Sequence, residues 1–367
     1  MISSEFRYPV TDDMKTDVLS VLDRRIHHGG EYTEEVERRI AERFGGRFGV
    51  AVNSGSSAAL VAMHALGIGP GDEVIVPAST YITTAEVVAL LGATPVFAEC
   101  EPDTLNISAN AVEACITAHT VGVIVVHNYG HPCDMERIAS IAATRGLWLV
   151  ENCSHAFGAQ YQGRPVGSFG TIAFTALSRK HLSICGTGGV AVTQDPALAD
   201  KMRRYSIHGR DGYGNYASHL LGYNFRFNEI QACIAKHQLD EVDAWIAKRR
   251  ENAAQYDELI AKQGVRVETP PRRPYASPSW LDYVIQTDER DDLKDHLNAN
   301  GVRTTVRYAI PCHLHPVFME RFGHKPGEFP VTERACDRIL SLPVGPDVSG
   351  LDVANVVSAM REFTQTL

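Results

Sequence analysis

Lys180 stands just beyond the short apolar run TIAFTAL (171–177) and just ahead of the cluster Gly186-Thr187-Gly188-Gly189. An amine carried into a cleft by such a strand, with backbone close by, suits Schiff-base formation with an aldehyde cofactor. Taken alone, a lysine is more often a solvated surface charge, so other residues have to agree with it.

Three further clusters do. Asn53-Ser54-Gly55-Ser56-Ser57 falls where a strand hands over to a helix. Small residues there let the backbone approach a ligand, and unpaired N–H groups with the helix dipole make an anion site. A plain serine cap with a glycine turn fits the same residues. The pattern is neither G-x-G-x-x-G nor a Walker loop. Tyr81, after Pro77-Ala78-Ser79-Thr80, lies at another strand-to-helix turn, where an aromatic can stack on a planar ring or simply line the rim. Glu151-Asn152-Cys153-Ser154-His155 follows the apolar strand LWLV, at the carboxyl end where α/β sheets bind ligands. Cys312-His313-Leu314-His315 is a poor metal site, because His at i and i+2 point to opposite faces of an extended strand.

The elements that must position these groups alternate along the first two-thirds of the chain. Strands are expected at 49–52, 73–76, 94–97, 122–126, 147–151, 171–175 and 188–193. Helices are expected at 33–44, with Thr33 as cap and Gly45-Gly46 as stop, then from 53 to about 67, and at about 81–91, 108–118 and 133–145. Short, nearly all-apolar strands separated by helices predict an α/β fold: a mostly parallel sheet with helices on both faces. A pattern from about 228 to 262 with no Gly or Pro reads as one long helix bridging two domains. The Pro-rich loop 269–279 follows, then a strand in WLDYVIQ, a helix in DDLKDHLNANG, a strand in VRTTVRY and a last helix at about 350–365. The boundary is expected near 245, giving a large domain over 1–245 and a small α/β domain over 246–367.

The 367 residues carry a net charge of −9, from 35 basic and 44 acidic residues, with no Lys/Arg tract, which disfavours a nucleic-acid partner. The eight cysteines form no CxxC pair and read as reduced thiols. The start MISSEFRYPV shows no signal pattern, and the apolar runs are too short to span a bilayer. A soluble, cytoplasmic protein is expected.

In order, NSGSSAAL (53–60), GIGPGDEVIVPASTYITTAEVV (67–88), GATPVFAECEPDTLNI (92–107), HNYGHPCDM (127–135) and ENCSHAFGAQYQGRPVGSFG (151–170) resemble the DegT/DnrJ/StrS sugar aminotransferases. The Lys180 segment, GYNFRFNEIQACIAKHQL (222–239), PCHLHP (311–316) and LSLPVGP (340–346) continue the likeness, which covers roughly 25–350. The resemblance implies the fold-type-I aminotransferase scaffold with a seven-stranded sheet in the large domain. It implies pyridoxal 5′-phosphate as cofactor, passing through pyridoxamine phosphate, and a homodimer with a shared active site. By position, Lys180 matches the Schiff-base lysine, and Gly55, Ser56 and Thr175 match phosphate-binding positions. Asn224 matches a phosphate ligand given to the partner subunit. Tyr81 matches the ring-stacking aromatic and His155 the residue facing the ring hydroxyl. Arg226 and His313 are candidates for holding donor carboxylate or sugar hydroxyls.

Three positions depart from the family pattern. Asn152 replaces an Asp that keeps the pyridine nitrogen protonated, Thr187 replaces an acid, and Ala176 replaces a large residue. A neutral amide gives no Coulombic bias, so a weaker electron sink is expected. The dehydratase branch replaces the lysine by His; here His181 neighbours a retained Lys180. The implied reaction is transfer of an amino group from Glu or Gln to a keto-sugar, nucleotide-linked, or to a keto-cyclitol, in amino-sugar biosynthesis. Elimination or epimerisation with the same cofactor is one alternative, and a non-enzymatic regulator on the same scaffold is another. Specificity is expected in loops such as 205–221 and 305–330.

Overall fold

The computed structural model describes residues 2–3, 6–25, 27–178, 181–212 and 216–365. Its centre is a seven-stranded sheet of β1 (Phe48–Val52), β2 (Glu73–Pro77), β3 (Thr94–Ala98), β4 (Thr120–Val126), β5 (Trp148–Asn152), β6 (Ile172–Ala176) and β7 (Gly189–Thr193). The order is β1-β7-β6-β5-β4-β2-β3. β7 runs antiparallel to both neighbours, and every other pairing is parallel. The expected fold class, α/β with a mostly parallel sheet, is what forms.

The strands are apolar because both faces are covered. Val50, Val52, Val74, Val76, Ile124, Val150, Ile172 and Phe174 face one layer, with α3 (Gly55–Leu66), α4 (Thr83–Leu90) and α7 (Pro196–Ser206). Alternate residues face the other side. Ala51, Ala173, Val190 and Val192 there meet α2 (Glu31–Arg43) and the first half of α8 (Glu229–Gln263), while Ile75, Val123, Val125 and Leu149 meet α5 (Ala109–Ala114) and α6 (Met135–Arg145). A separate core from Ala253 onward gathers the end of α8, strands β8 (Tyr283–Gln286) and β9 (Ile339–Leu342), and helices α9 (Arg290–Ala299) and α12 (Gly350–Thr364). The remaining helices are α1 (Asp12–Arg24), α10 (Pro316–Phe322) and α11 (Pro330–Arg338).

Local chemistry sets the helix ends. Ser54 caps α3 by accepting the Ser57 N–H, and Gly67, at φ 80°, closes it in a left-handed turn. Asn228 and Gly264 delimit the 35 residues of α8. Two expectations are corrected. Thr33 does not cap α2: the helix starts at Glu31, and Thr33 is buried, donating from Oγ1 to Glu229 at 2.6 Å. The buried Glu229 carboxylate also accepts the Gly30 and Tyr32 N–H groups, so a residue about two hundred positions away ties down the start of α2. VRTTVRY does not form a strand throughout: Val302–Arg303 pairs as a short strand, Thr305 makes an isolated antiparallel bridge to Ser341, and Arg307 and Tyr308 reach a cavity at the sheet edge. All eight cysteines are free, and among the described residues no helix is long and apolar enough to cross a membrane.

Candidate active site

Val126, Asn152 and Phe174 pair in sequence across β4, β5 and β6, so their side chains form a row at the carboxyl edge of the sheet. Above this row lies a cavity of about 320 Å³. Its walls come from the start of α3 (Ser54, Gly55, Ser56), the turn before α4 (Thr80, Tyr81, Thr83, Thr84), Ser154, His155, Ala176, Ser178, Thr187, and the pair Arg307 and Tyr308. Helix α3 aims its first N–H groups at this space, and those of Gly55 and Ser56 lie in the turn that has no intrahelical acceptor. Gly55 is needed for close approach: a Cβ there would lie 2.6 Å from that of Ala176.

Asn152 is buried, with Oδ1 accepting the Ser154 N–H at 3.1 Å and Nδ2 donating to Thr84 Oγ1 at 3.4 Å. Its neighbour Glu151 points to the opposite face and accepts N–H bonds from Gly167, Phe169 and Gly170, each at 2.7 Å. With His127 at 3.1 Å, those contacts fix the end of β5 and so the height of Asn152. His155 Nδ1 accepts the Tyr129 N–H at 3.3 Å, so in the neutral ring Nε2 carries the proton and faces Tyr308 Oη at 3.0 Å. Burial raises the Tyr308 pKa, keeping the phenol protonated. Tyr81 is half exposed, its ring 5.9 Å from that of Tyr308 and tilted 45°. Thr187 donates to the Asn53 carbonyl at 2.9 Å, tying the glycine turn to the start of α3.

The structure thus brings together Gly55, Ser56, Tyr81, Asn152 and His155. Thr175 is not on the cavity wall: strand alternation sends its side chain to the face opposite Phe174 and Ala176, where Oγ1 is buried without a hydrogen-bond partner. Asn224 is exposed and Arg226 half-buried, both outside the wall. His313 is fully buried, its Nε2 3.1 Å from Glu333 and its ring packed on Phe329, in a 3-10 turn instead of the expected extended segment. Lys180 lies outside the described residues. Arg307 and Tyr308 fall in the loop expected to carry specificity, but no motif marked either one.

The DegT/DnrJ/EryC1/StrS aminotransferase family matches residues 10–361. The chain belongs to that family. It is 36% identical to the dTDP-3-amino-3,4,6-trideoxy-alpha-D-glucose transaminase of Streptomyces venezuelae, over 95% of this chain and 91% of the relative. It is 37% identical to the pleiotropic regulatory protein of Geobacillus stearothermophilus, over 96% of this chain and 95% of that one. The crystal structure of S. venezuelae DesV in complex with a ketimine intermediate superimposes with a TM-score of 0.92 at 35% identity, covering 97% and 95% of the two chains. As a DegT/DnrJ/EryC1/StrS member, the chain is an aminotransferase dependent on pyridoxal phosphate. The cavity fits that group: helix-terminal N–H groups and hydroxyls suit a phosphate, and Tyr81, Val126 and Phe174 offer apolar surface to a flat ring. Asn152 adds a polar amide to the same wall.

Proposed function

We propose that the chain transfers an amino group from glutamate or glutamine to a nucleotide-linked keto-sugar in amino-sugar biosynthesis, acting as a cytoplasmic homodimer. The observation that carries this reading is the convergence of the α3 N-terminus, Tyr81, Asn152 and His155 on one cavity at the carboxyl edge of the sheet. The likeness to a sugar transaminase over most of both chains supports the substrate class.

Bound pyridoxal phosphate supplies the electron sink and carries the amino group between the two substrates. In this reading the N–H groups of Gly55 and Ser56, with the Ser56 hydroxyl, hold the phosphate end, and Tyr81 covers one face of the ring. His155, oriented by the Tyr129 N–H, presents a proton at Nε2, and Tyr308 relays or shares it. Lys180 moves the proton at the substrate Cα; its place in the sequence directly after β6 supports the assignment. Asn224 is exposed and off its own cavity wall, which suits a side chain serving the second copy. The division into a large domain over 1–245 and a small one over 246–367 is supported by the separate core from Ala253 onward.

Addition of Glu or Gln alone to the coloured holoenzyme should convert the cofactor to its amine form, seen as an absorbance change within one turnover. Absence of that change with either amino acid rejects the transaminase reading. The same result would favour a regulatory role such as the Geobacillus relative's name denotes.

A further inference from the structure

An amino-acid donor brings an α-carboxylate into the cavity, and an anion leaving water needs a cation or several donors. Among the described residues lining the cavity, Arg307 alone carries a formal charge. Its Nε lies 3.2 Å from Asp282 Oδ2. That oxygen is buried and makes no aligned hydrogen bond, so the contact is Coulombic and not an interlocked fork.

A second guanidinium stands behind the same carboxylate. Arg249 is buried, donating to the carbonyls of Trp280 at 3.2 Å and Leu281 at 3.0 Å, with Asp282 close enough to favour its charge. Burial pulls the Arg249 pKa down to about 10, still cationic at neutral pH. Asp282 raises that of Arg307. Asp347 also favours the Arg249 charge, so Arg249 does not depend on Asp282 alone, and Asp282 serves to hold Arg307 at the cavity wall. A guanidinium carries five N–H donors in a planar fork. With Nε turned to Asp282, the two terminal nitrogens remain to meet a ligand.

We propose that Arg307 binds the α-carboxylate of the amino donor. The assignment rests on the transaminase reading. The α-carboxylate is chosen because glutamate and glutamine share it, whereas only glutamate has a second one. In the proposed reading the cofactor phosphate is served by the start of α3, and Arg226 and His313 are not among the cavity-lining residues.

The test uses purified holoenzyme and the donor half-reaction, followed by absorbance. Arg307→Gln should raise KM for glutamate and for glutamine alike, by about ten- to a hundredfold, as expected for a lost hydrogen bond to a charged group. Arg307→Lys, which keeps a charge beside Asp282, should fall between. Wild type should discriminate against isoglutamine, whose α-carboxylate is an amide, and Arg307→Gln should lose that discrimination. A rise in KM for glutamate alone would assign the side-chain carboxylate and overturn the proposal. So would unchanged KM for both donors, with or without loss of competition by a nucleoside diphosphate. If Arg307→Gln fails to fold, isoglutamine discrimination in Arg307→Lys decides: undiminished discrimination overturns the proposal. Silence of the wild type toward both amino acids would reject the transaminase reading itself, a separate outcome.

Discussion

The amide oxygen of Asn152 accepts the backbone N–H of Ser154 at 3.1 Å, and a backbone N–H can only donate. The nitrogen is therefore the end turned toward Thr84, on the cavity side. An amide nitrogen donates to an unprotonated pyridine and repels a protonated one. The weaker electron sink expected from the sequence thus acquires a geometry. Asn152→Asp would keep the bond from Ser154 and put a carboxylate oxygen where Nδ2 now stands. The donor half-reaction should speed up by on the order of tenfold, for about one unit of favoured ring protonation. A slower variant in a stopped-flow trace would show that the neutral amide belongs to the mechanism.

Gly55→Ala tests the close approach of α3 to β6. Alanine would normally favour a helix by up to about 1 kcal/mol over glycine. Here the new Cβ meets Ala176 at 2.6 Å, and a methyl fixed on backbone cannot swing aside. Overpacking of about 1–3 kcal/mol should win. Equilibrium dialysis should show weaker binding of pyridoxal phosphate, and unaltered affinity would mean that the helix terminus is not its phosphate site.

Glu229 holds the start of α2 through three hydrogen bonds. Glu229→Gln keeps the shape but turns an NH2 group against donors. A loss of about 2–4 kcal/mol is expected, from buried bonds to a charged acceptor. The urea midpoint at fixed protein concentration should fall with little change in slope; an unmoved midpoint would show that water replaces these bonds without cost.

His131 gives the fold an acid sensitivity. It is buried, Nδ1 against the Pro132 carbonyl at 2.9 Å and Nε2 without a partner. Burial lowers its pKa to about 4 from an ordinary value near 6.5. The folded state therefore prefers the neutral ring. That contribution is complete above the unfolded pKa and is lost as pH falls from about 6.5 toward 4, with a slope of up to ~1.4 kcal/mol per pH unit. His131→Gln should shrink the difference in urea midpoint between pH 7 and pH 5. A variant as acid-sensitive as the wild type would place the titration elsewhere.

Much of the molecule was legible because its signals are local. Apolar strands of β-branched residues, the Ser54 cap and the Gly67 stop can be read within a few positions. Thr175 leaves the wall through simple strand alternation, but most of what was missed depends on partners further along the chain. Thr33 looks like a cap until Glu229 arrives from the far side of the chain. Arg307 looks like one of two arginines in a β-branched run, and only Asp282 and the sheet edge make it part of the cavity. His313 carries the right chemistry in a recognisable motif, yet Glu333 and Phe329 enclose it. The antiparallel direction of β7 is likewise invisible in GGVAVT, since an apolar strand reads the same either way.

Helix α8 runs for 35 residues without a break, a rod of about 50 Å at ~1.5 Å per residue. Its first half is embedded beneath the sheet, and its far half forms a wall of the small core. Arg249 on that shaft grips the strip at 280–281, and Asp282 in turn leashes Arg307. The one formally charged residue among the described cavity walls is thus tied, through Asp282 and the strip at 280–281, to the helix that both cores share.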